Sequence, residues 1–100
     1  MGEGEPGAKP VRGPFRYRED VLAAVWRHGI MPTDRTPPEL ARGYVRDLYK
    51  YEIRRLRERY MRREFSKQEY SALVERLRDH YGVLALVPRL WLRTDAKAGP

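Results

Sequence analysis

Basic side chains in the middle of the chain are the residues whose type and spacing point most directly to binding chemistry. Steps of three and four residues separate Arg46, Lys50, Arg54 and Arg57. At about 100° per residue, these steps place all four in one arc of a helix, which we call the basic stripe. Cations spread over about 16 Å of helix axis can follow nucleic-acid phosphates, an acidic protein surface or anionic lipid headgroups.

The same part of the chain has an interpretation that needs no ligand. Arginine and lysine are good helix formers, and the solvated face of a helix must carry polar residues. Opposite charges also stand three or four residues apart, which is typical of a long exposed helix stabilised by ion pairs. The predicted pairs are Asp47 with Lys50, Glu52 with Arg55, Arg54 with Glu58 and Glu58 with Arg62. The sequence leaves both the solvated face and the binding face open.

Residues that commonly carry catalysis are few. His28 and His80 each fall near the end of a predicted helix, where the helix dipole favours a protonated imidazole. Their spacing matches no metal-binding motif, and the chain has no cysteine. Ser66 and Ser71 lie in no G-x-S-x-G sequence, and no glycine-rich phosphate loop is present. We therefore predict a protein that is not an enzyme, with no catalytic residue, cofactor or metal site and no evident small-molecule substrate.

Length and composition limit the chain to one small basic domain. It has 100 residues, with 21 Lys and Arg against 14 Asp and Glu and a formal net charge of +7. The longest uncharged apolar run, Tyr81 to Pro88, is far shorter than the roughly 20 residues that a membrane-spanning helix requires. The first ten residues lack the apolar core of a secretory signal. We expect a cytoplasmic protein without a membrane span.

The chain divides into three parts by composition. Residues 1–13 hold four of the eight glycines and two prolines, which predicts a disordered N-terminal arm. Residues 14–93 are predicted to form a single helical domain, and residues 94–100 a second disordered tail.

The first two predicted helices follow from apolar periodicity. The first covers 17–28, ends before Gly29, and has two apolar pairs at a spacing of four: Val21 with Val25 and Leu22 with Trp26. The second runs to about Arg63, with Thr36 as its cap, Pro37 in its first position and Glu39 completing the cap. Its apolar stripe contains Ala41, Tyr44, Val45, Leu48, Tyr49, Ile53, Leu56 and Tyr60.

Tyr51 falls off this apolar stripe, near Arg55 and Arg62 on the helical wheel. We expect it to pack against the first helix. The alternative is an exposed aromatic ring among arginines, which can stack on a nucleic-acid base.

The third predicted helix has a clear start signal. Ser66 and Glu69 form a capping box, and Phe65 and Tyr70 occupy the positions of a hydrophobic staple. Gly82 ends the helix. Its apolar line contains Tyr70, Leu73, Val74, Leu77 and Tyr81. Because the connection to the second helix is only a few residues long, the two helices are predicted to be antiparallel neighbours.

An apolar segment, 83–92, follows the third helix. Pro88 argues against a continuous helix there. We expect an extended or single-turn segment that lies across the helical hairpin and closes the core, with Trp91 half-buried and its N–H towards water. The alternative is that this segment forms an exposed apolar docking surface. The residues of that surface would be Leu86, Leu90, Trp91 and Leu92.

The stretch from Ile53 to Leu77 resembles the short helical-hairpin module named SHOCT, with a leucine-spaced helix, a brief turn and a capped second helix. That module usually has a glycine in the turn, where this chain has Arg63 and Glu64. The resemblance implies a helical hairpin over a quarter of the chain, and membership of the family is not inferred from it.

Together these patterns predict an all-α fold: a small three-helix domain with a long central helix, an antiparallel helical hairpin and a C-terminal extended apolar segment packed across it. The function that we predict is a non-catalytic protein-interaction module, acting as an adapter or by oligomerisation, whose partner is another protein or a second copy. The alternative is a nucleic-acid-binding accessory protein that uses the basic stripe.

Overall fold

The computed structural model describes residues 14–94, and within that range the fold is all-α, as predicted. Helix α1 spans Glu19–Trp26, α2 spans Pro38–Met61 and α3 spans Lys67–His80. Two 3₁₀ turns, Gly82–Ala85 and Pro88–Trp91, complete the described chain. The predicted arm, 1–13, and all but Thr94 of the predicted tail lie outside the described residues.

Helix α1 is shorter than predicted and ends in a left-handed turn at Gly29. Gly29 has φ of +80°, a conformation that glycine adopts without the steric cost of a Cβ. The Ile30 N–H donates to the Val25 carbonyl (3.0 Å) and the Gly29 N–H donates to the Trp26 carbonyl (2.9 Å), a Schellman motif. Trp26 itself is 55% exposed, so the prediction that it shares the buried face of α1 is wrong.

Helix α2 begins one residue later than predicted. Pro37 is the N-cap, in an extended conformation, and Pro38 takes the first helical position. The reason is that a residue before proline is disfavoured in the α region, and Pro37 stands directly before Pro38. Thr36 therefore does not cap the helix, and its hydroxyl instead accepts a hydrogen bond from the Thr33 N–H (3.0 Å).

The turn between α2 and α3 places a non-glycine residue in a left-handed conformation. Arg63 has φ of +63°, and the Glu64 N–H donates to the Arg59 carbonyl (3.1 Å). Next to this turn, the predicted capping box of α3 is confirmed. The Ser66 hydroxyl accepts from the Glu69 N–H (3.1 Å), and the Glu69 carboxylate accepts from the Ser66 N–H (2.8 Å). The two helices form the predicted antiparallel hairpin.

The C-terminal segment closes the core, as expected. Trp91 is fully buried, and its indole N–H donates to the Leu86 carbonyl (3.2 Å) rather than pointing to water. Arg42 of α2 donates to the carbonyls of Leu84 (2.6 Å) and Leu86 (3.0 Å), which fixes the segment against the first half of α2. Tyr17 and Leu92 form an isolated antiparallel bridge that ties the two ends of the domain together.

Among residues 14–94, full burial is confined to one end of the fold. The core consists of Phe15, Tyr17, Val21, Val25, Ala41, Val45, Tyr81, Val83 and Trp91. From residue 46 to residue 80 no side chain is fully buried, although this stretch includes most of α2 and all of α3. Tyr44 is 53% exposed, so its assignment to the buried stripe of α2 is wrong.

Candidate binding surfaces

The basic stripe is exposed along the middle of α2. Arg46, Lys50, Arg54 and Arg57 are all solvent-exposed, on the side of the helix away from Ala41 and Val45 in the core. Within residues 14–94, none of the four forms an ion pair or a side-chain hydrogen bond. The stripe therefore presents cations whose hydrogen-bonding groups face only solvent in the described part of the chain.

The predicted ion pairs along α2 are absent from the described residues. Arg62 pairs with Glu64 (3.1 Å) rather than with Glu58, and Arg59 pairs with Glu64 as well (2.8 Å). These two arginines hold the pKa of the Glu64 carboxyl below its ordinary value, chiefly through the hydrogen bond from Arg59. Glu64, in the turn between α2 and α3, is therefore the acidic residue that pairs with the arginines at the C-terminal end of α2.

The four residues considered for apolar docking do not share one exposed surface. Trp91 lies in the core, and Leu86 and Leu92 pack against that core. Leu90 is 38% exposed and is the one member of the four that faces solvent.

An open groove between α2 and α3 is the surface that sequence reasoning missed. Its volume is about 680 Å³. Leu48 and Leu56 from α2 and Leu73 and Leu77 from α3 supply the aliphatic part of its lining. The remaining lining residues are Tyr51, Glu52, Arg55, Arg59, Arg76 and His80. The signal in the sequence is the i, i+3, i+4, i+7 spacing of the α3 members, but it identifies a groove only once the facing helix is known.

Positive charge predominates around the groove. Three of its lining residues are arginines, Arg55, Arg59 and Arg76, against one carboxylate, Glu52. Glu52 already accepts a hydrogen bond from the Tyr81 hydroxyl (2.5 Å). Burial, and after it this hydrogen bond, raises the pKa of Tyr81.

Tyr51 lies at the wall of this groove and not against α1. Tyr51 is 54% exposed, and the Arg55 guanidinium lies 5.8 Å from the centre of its ring. The expectation of packing against the first helix is therefore wrong. The groove itself lies on roughly the opposite side of α2 from the basic stripe, because at about 100° per residue Leu48, Glu52 and Arg55 fall far from the arc of the stripe.

Two histidines far apart in sequence meet where α1 and α3 end. The rings of His28 and His80 lie 4.7 Å apart, and His28 stacks on Tyr81 with ring centres 4.1 Å apart. The His28 Nε2–H donates to the His80 carbonyl (3.1 Å). Burial, helped by His80, lowers the pKa of His28, which is the opposite of the direction expected for an imidazole at a helix C-terminus.

Residues 14–94 contain no group of three or more His, Cys, Asp or Glu side chains placed to hold a metal ion. In the same range, no helix combines the length and the apolar composition that crossing a bilayer would need.

No protein family, no curated protein and no solved structure matches this chain. The two surfaces of α2, the basic stripe and the groove, are the features of the described residues that point to a function.

Proposed function

We propose that this protein is a non-catalytic protein-interaction module whose contact surface is the hairpin of α2 and α3. The observation that carries the proposal is the groove of about 680 Å³ between these helices. None of its four leucines is fully buried, and two of them, Leu56 and Leu73, are not among the residues that pack against the core. A partner that covers these side chains gains hydrophobic stabilisation that the isolated chain leaves unused.

Leu73 and Leu40 provide a matched pair of variants for testing this proposal. Leu73 lines the groove and is not among the residues that pack against the core. Leu40 is 48% exposed near the start of α2, outside the lining of the groove. Replacing either one with glutamate introduces the same charge, so a difference between the variants reports the location and not the chemistry of the change.

The experiment is affinity capture from the native host, with nuclease present, followed by light scattering of the purified protein. We expect wild type and Leu40→Glu to retain the same partner and Leu73→Glu to lose it. A partner that Leu73→Glu retains, or a monodisperse monomer that captures nothing, contradicts the proposal.

Nucleic-acid binding through the basic stripe is the second candidate function. The favouring observation is that all four cations are exposed and unpaired within the described residues. If all four neutralise duplex phosphates, the logarithm of the affinity falls with the logarithm of salt concentration with a slope of about −3.6.

A charge-matched pair of double variants separates the stripe from the net charge of the protein. Lys50→Glu with Arg54→Glu replaces two positive charges of the stripe with two negative ones, which takes the net charge from +7 to +3. Arg35→Glu with Arg89→Glu makes the same change at exposed positions elsewhere. We expect the first pair to abolish binding of a fluorescent duplex oligonucleotide and the second pair to weaken it only slightly. Equal losses in both, or no binding by wild type at low salt, remove this candidate.

A further inference from the structure

The groove between α2 and α3 has walls that suit a third helix. From Leu48 to Arg59 its α2 wall covers about 16 Å of axis, or three helical turns. On the α3 wall, the residues at i, i+3, i+4 and i+7 are Leu73, Arg76, Leu77 and His80. Two antiparallel helices with apolar side chains on the same side leave a trough that a third helix fills by inserting side chains of matching spacing.

The charge of the lining selects the chemistry of such a helix. Arg55, Arg59 and Arg76 line the groove against the single carboxylate of Glu52. Arg59 is partly engaged, since it pairs with Glu64 and lies over the Phe65 ring (4.8 Å). Arg55 and Arg76 have no ion pair within the described residues, so they remain available to carboxylates of a partner.

A second copy of this chain suits the groove poorly. An isologous dimer through this surface brings the same three arginines of both copies close together. Each copy also carries a net charge of +7. Like charges at an interface oppose association, so the complementary partner is acidic.

A nucleic acid suits this surface less well, because Leu48, Leu56, Leu73 and Leu77 lie among the three arginines and a phosphate backbone gains no stabilisation from covering leucine side chains. The basic stripe, on roughly the opposite side of α2, offers four exposed cations to a phosphate backbone.

From this combination we infer that the groove binds an acidic amphipathic helix of a partner protein, whose apolar residues enter between α2 and α3 and whose carboxylates meet Arg55 and Arg76. The inference rests on the proposed interaction function and names the partner class for the same surface. The apolar anchors provide most of the affinity, and the arginines provide selectivity and a faster association rate.

The direct test uses synthetic fluorescent peptides of about 18 residues, long enough to span the groove at about 1.5 Å per residue. The first has leucines at i, i+3, i+4 and i+7 spacing with glutamates between them. The second replaces every glutamate with lysine, and the third keeps the acidic composition but scrambles the leucine positions. We expect the first peptide to bind at least about tenfold more tightly than either of the others.

Charge reversal at the groove gives the most specific outcome. Arg55→Glu with Arg76→Glu should reverse the preference, so that the lysine peptide binds and the glutamate peptide does not. Lys50→Glu with Arg54→Glu changes the net charge of the protein by the same amount and should leave the affinity for the acidic peptide within about threefold. Both pairs replace exposed residues, and circular dichroism checks that each variant keeps the helical content of wild type.

Any one of the following results overturns the inference. The scrambled peptide binds as well as the patterned one, or the stripe variant loses the peptide while the groove variant keeps it, or light scattering reveals a dimer that Leu73→Glu dissociates. If the acidic peptide does not bind but a host partner is still captured and lost in Leu73→Glu, the partner chemistry is wrong and the interaction function stands.

Discussion

Trp91 and Leu73 are both large apolar residues at inward-facing positions, but the two ends of the molecule bury them to different extents. Trp91 is fully buried by the first half of α2, α1 and the residues before α1. Leu73 stays partly exposed because only α2 faces it. The molecule is elongated, with dimensions of 55 × 33 × 18 Å. Helix α2 runs from the end that holds the buried core around Trp91, which we call the closed end, into the hairpin with α3.

The difference indicates which end provides stability and which end is available for binding. At the closed end, α1, the first half of α2 and the C-terminal segment cover one another's apolar side chains. Arg42 and the Trp91 indole donate hydrogen bonds to backbone carbonyls of that segment. In the hairpin, two helices leave a leucine-lined groove between arginines. Stability that depends on a few buried residues allows the other end to change its surface without unfolding the domain.

The largest expected effect comes from removing the centre of the closed end. Trp91→Ala should lower the free energy of unfolding by about 3–5 kcal/mol, because a fully buried indole leaves a cavity that the small core cannot refill. Leu73→Ala, in the hairpin, should cost less, about 1–2 kcal/mol, since its side chain is only partly buried. Urea unfolding followed by circular dichroism measures both values.

Trp91→Phe serves as the control for this pair of variants. It keeps an aromatic ring in the core and loses the hydrogen bond to the Leu86 carbonyl, so its loss should fall between the two. If Leu73→Ala is as destabilising as Trp91→Ala, the division into a stabilising end and a binding end is wrong.

The next largest change in stability is expected at two residues with a left-handed backbone conformation, Gly29 at the closed end and Arg63 in the hairpin turn. Gly29→Ala should destabilise the protein by about 1–2 kcal/mol, because an L-residue resists a positive φ. Apart from the adjoining residues, no atom lies within 4 Å of the added Cβ, so the loss comes from the local backbone conformation and not from contacts elsewhere in the fold. Arg63→Gly should stabilise it by about 1 kcal/mol, since Arg63 already bears that cost in the hairpin turn.

Thermal unfolding of both variants tests the opposite signs. Arg63→Ala is the matched control, because it removes the guanidinium but keeps the Cβ, and it should give no gain. A stabilisation in Arg63→Ala equal to that in Arg63→Gly would assign the effect to charge and contradict the argument from φ.

The sequence was sufficient to predict features that depend only on residues close together along the chain. The capping box of Ser66 and Glu69 was predicted because both partners lie within one turn of the chain. The start of α2 was mispredicted by one residue because the second of two prolines changes the conformation of the first.

The basic stripe could also be predicted, since its members belong to one helix. The groove could not be predicted, because it depends on how α2 and α3 face each other. The contact of His28 with His80 joins residues 52 positions apart, and no periodicity along one helix reports it. The burial of Trp91 likewise depends on which helices the segment after α3 packs against, and periodicity within that segment does not specify this.

A smaller effect is expected from the cap of α3. Ser66→Ala should cost about 1 kcal/mol, because the Glu69 N–H loses its acceptor and the first turn of α3 frays. Ser71→Ala is the control, since within the described residues the Ser71 hydroxyl makes no hydrogen bond and alanine favours a helix. Hydrogen exchange should locate the loss in the hairpin, with protection around Val25 and Val45 unchanged.

The smallest expected effect is a pH dependence at the junction of the two ends, where His28 stacks on Tyr81. The groups that act on His28 are His80, Glu52 and Arg27, and burial dominates in lowering its pKa. The unfolded chain then takes up a proton near the ordinary pKa of about 6.5 while the folded chain remains neutral. Stability should therefore be constant above that pH and decrease as the pH falls through the interval between the two pKa values.

Urea unfolding between about pH 8 and pH 5.5 measures this dependence before the lowered carboxyl pKa values of Asp20 and Glu64 contribute in more acidic solution. In His28→Gln, which has no titrating group at this position, the decrease should be smaller than in wild type. An unchanged slope in His28→Gln would mean that another group titrates on unfolding. A slope of opposite sign in wild type would mean that His28 is stabilised as the cation, and the junction would then be an electrostatic contact and not a buried stack of neutral rings.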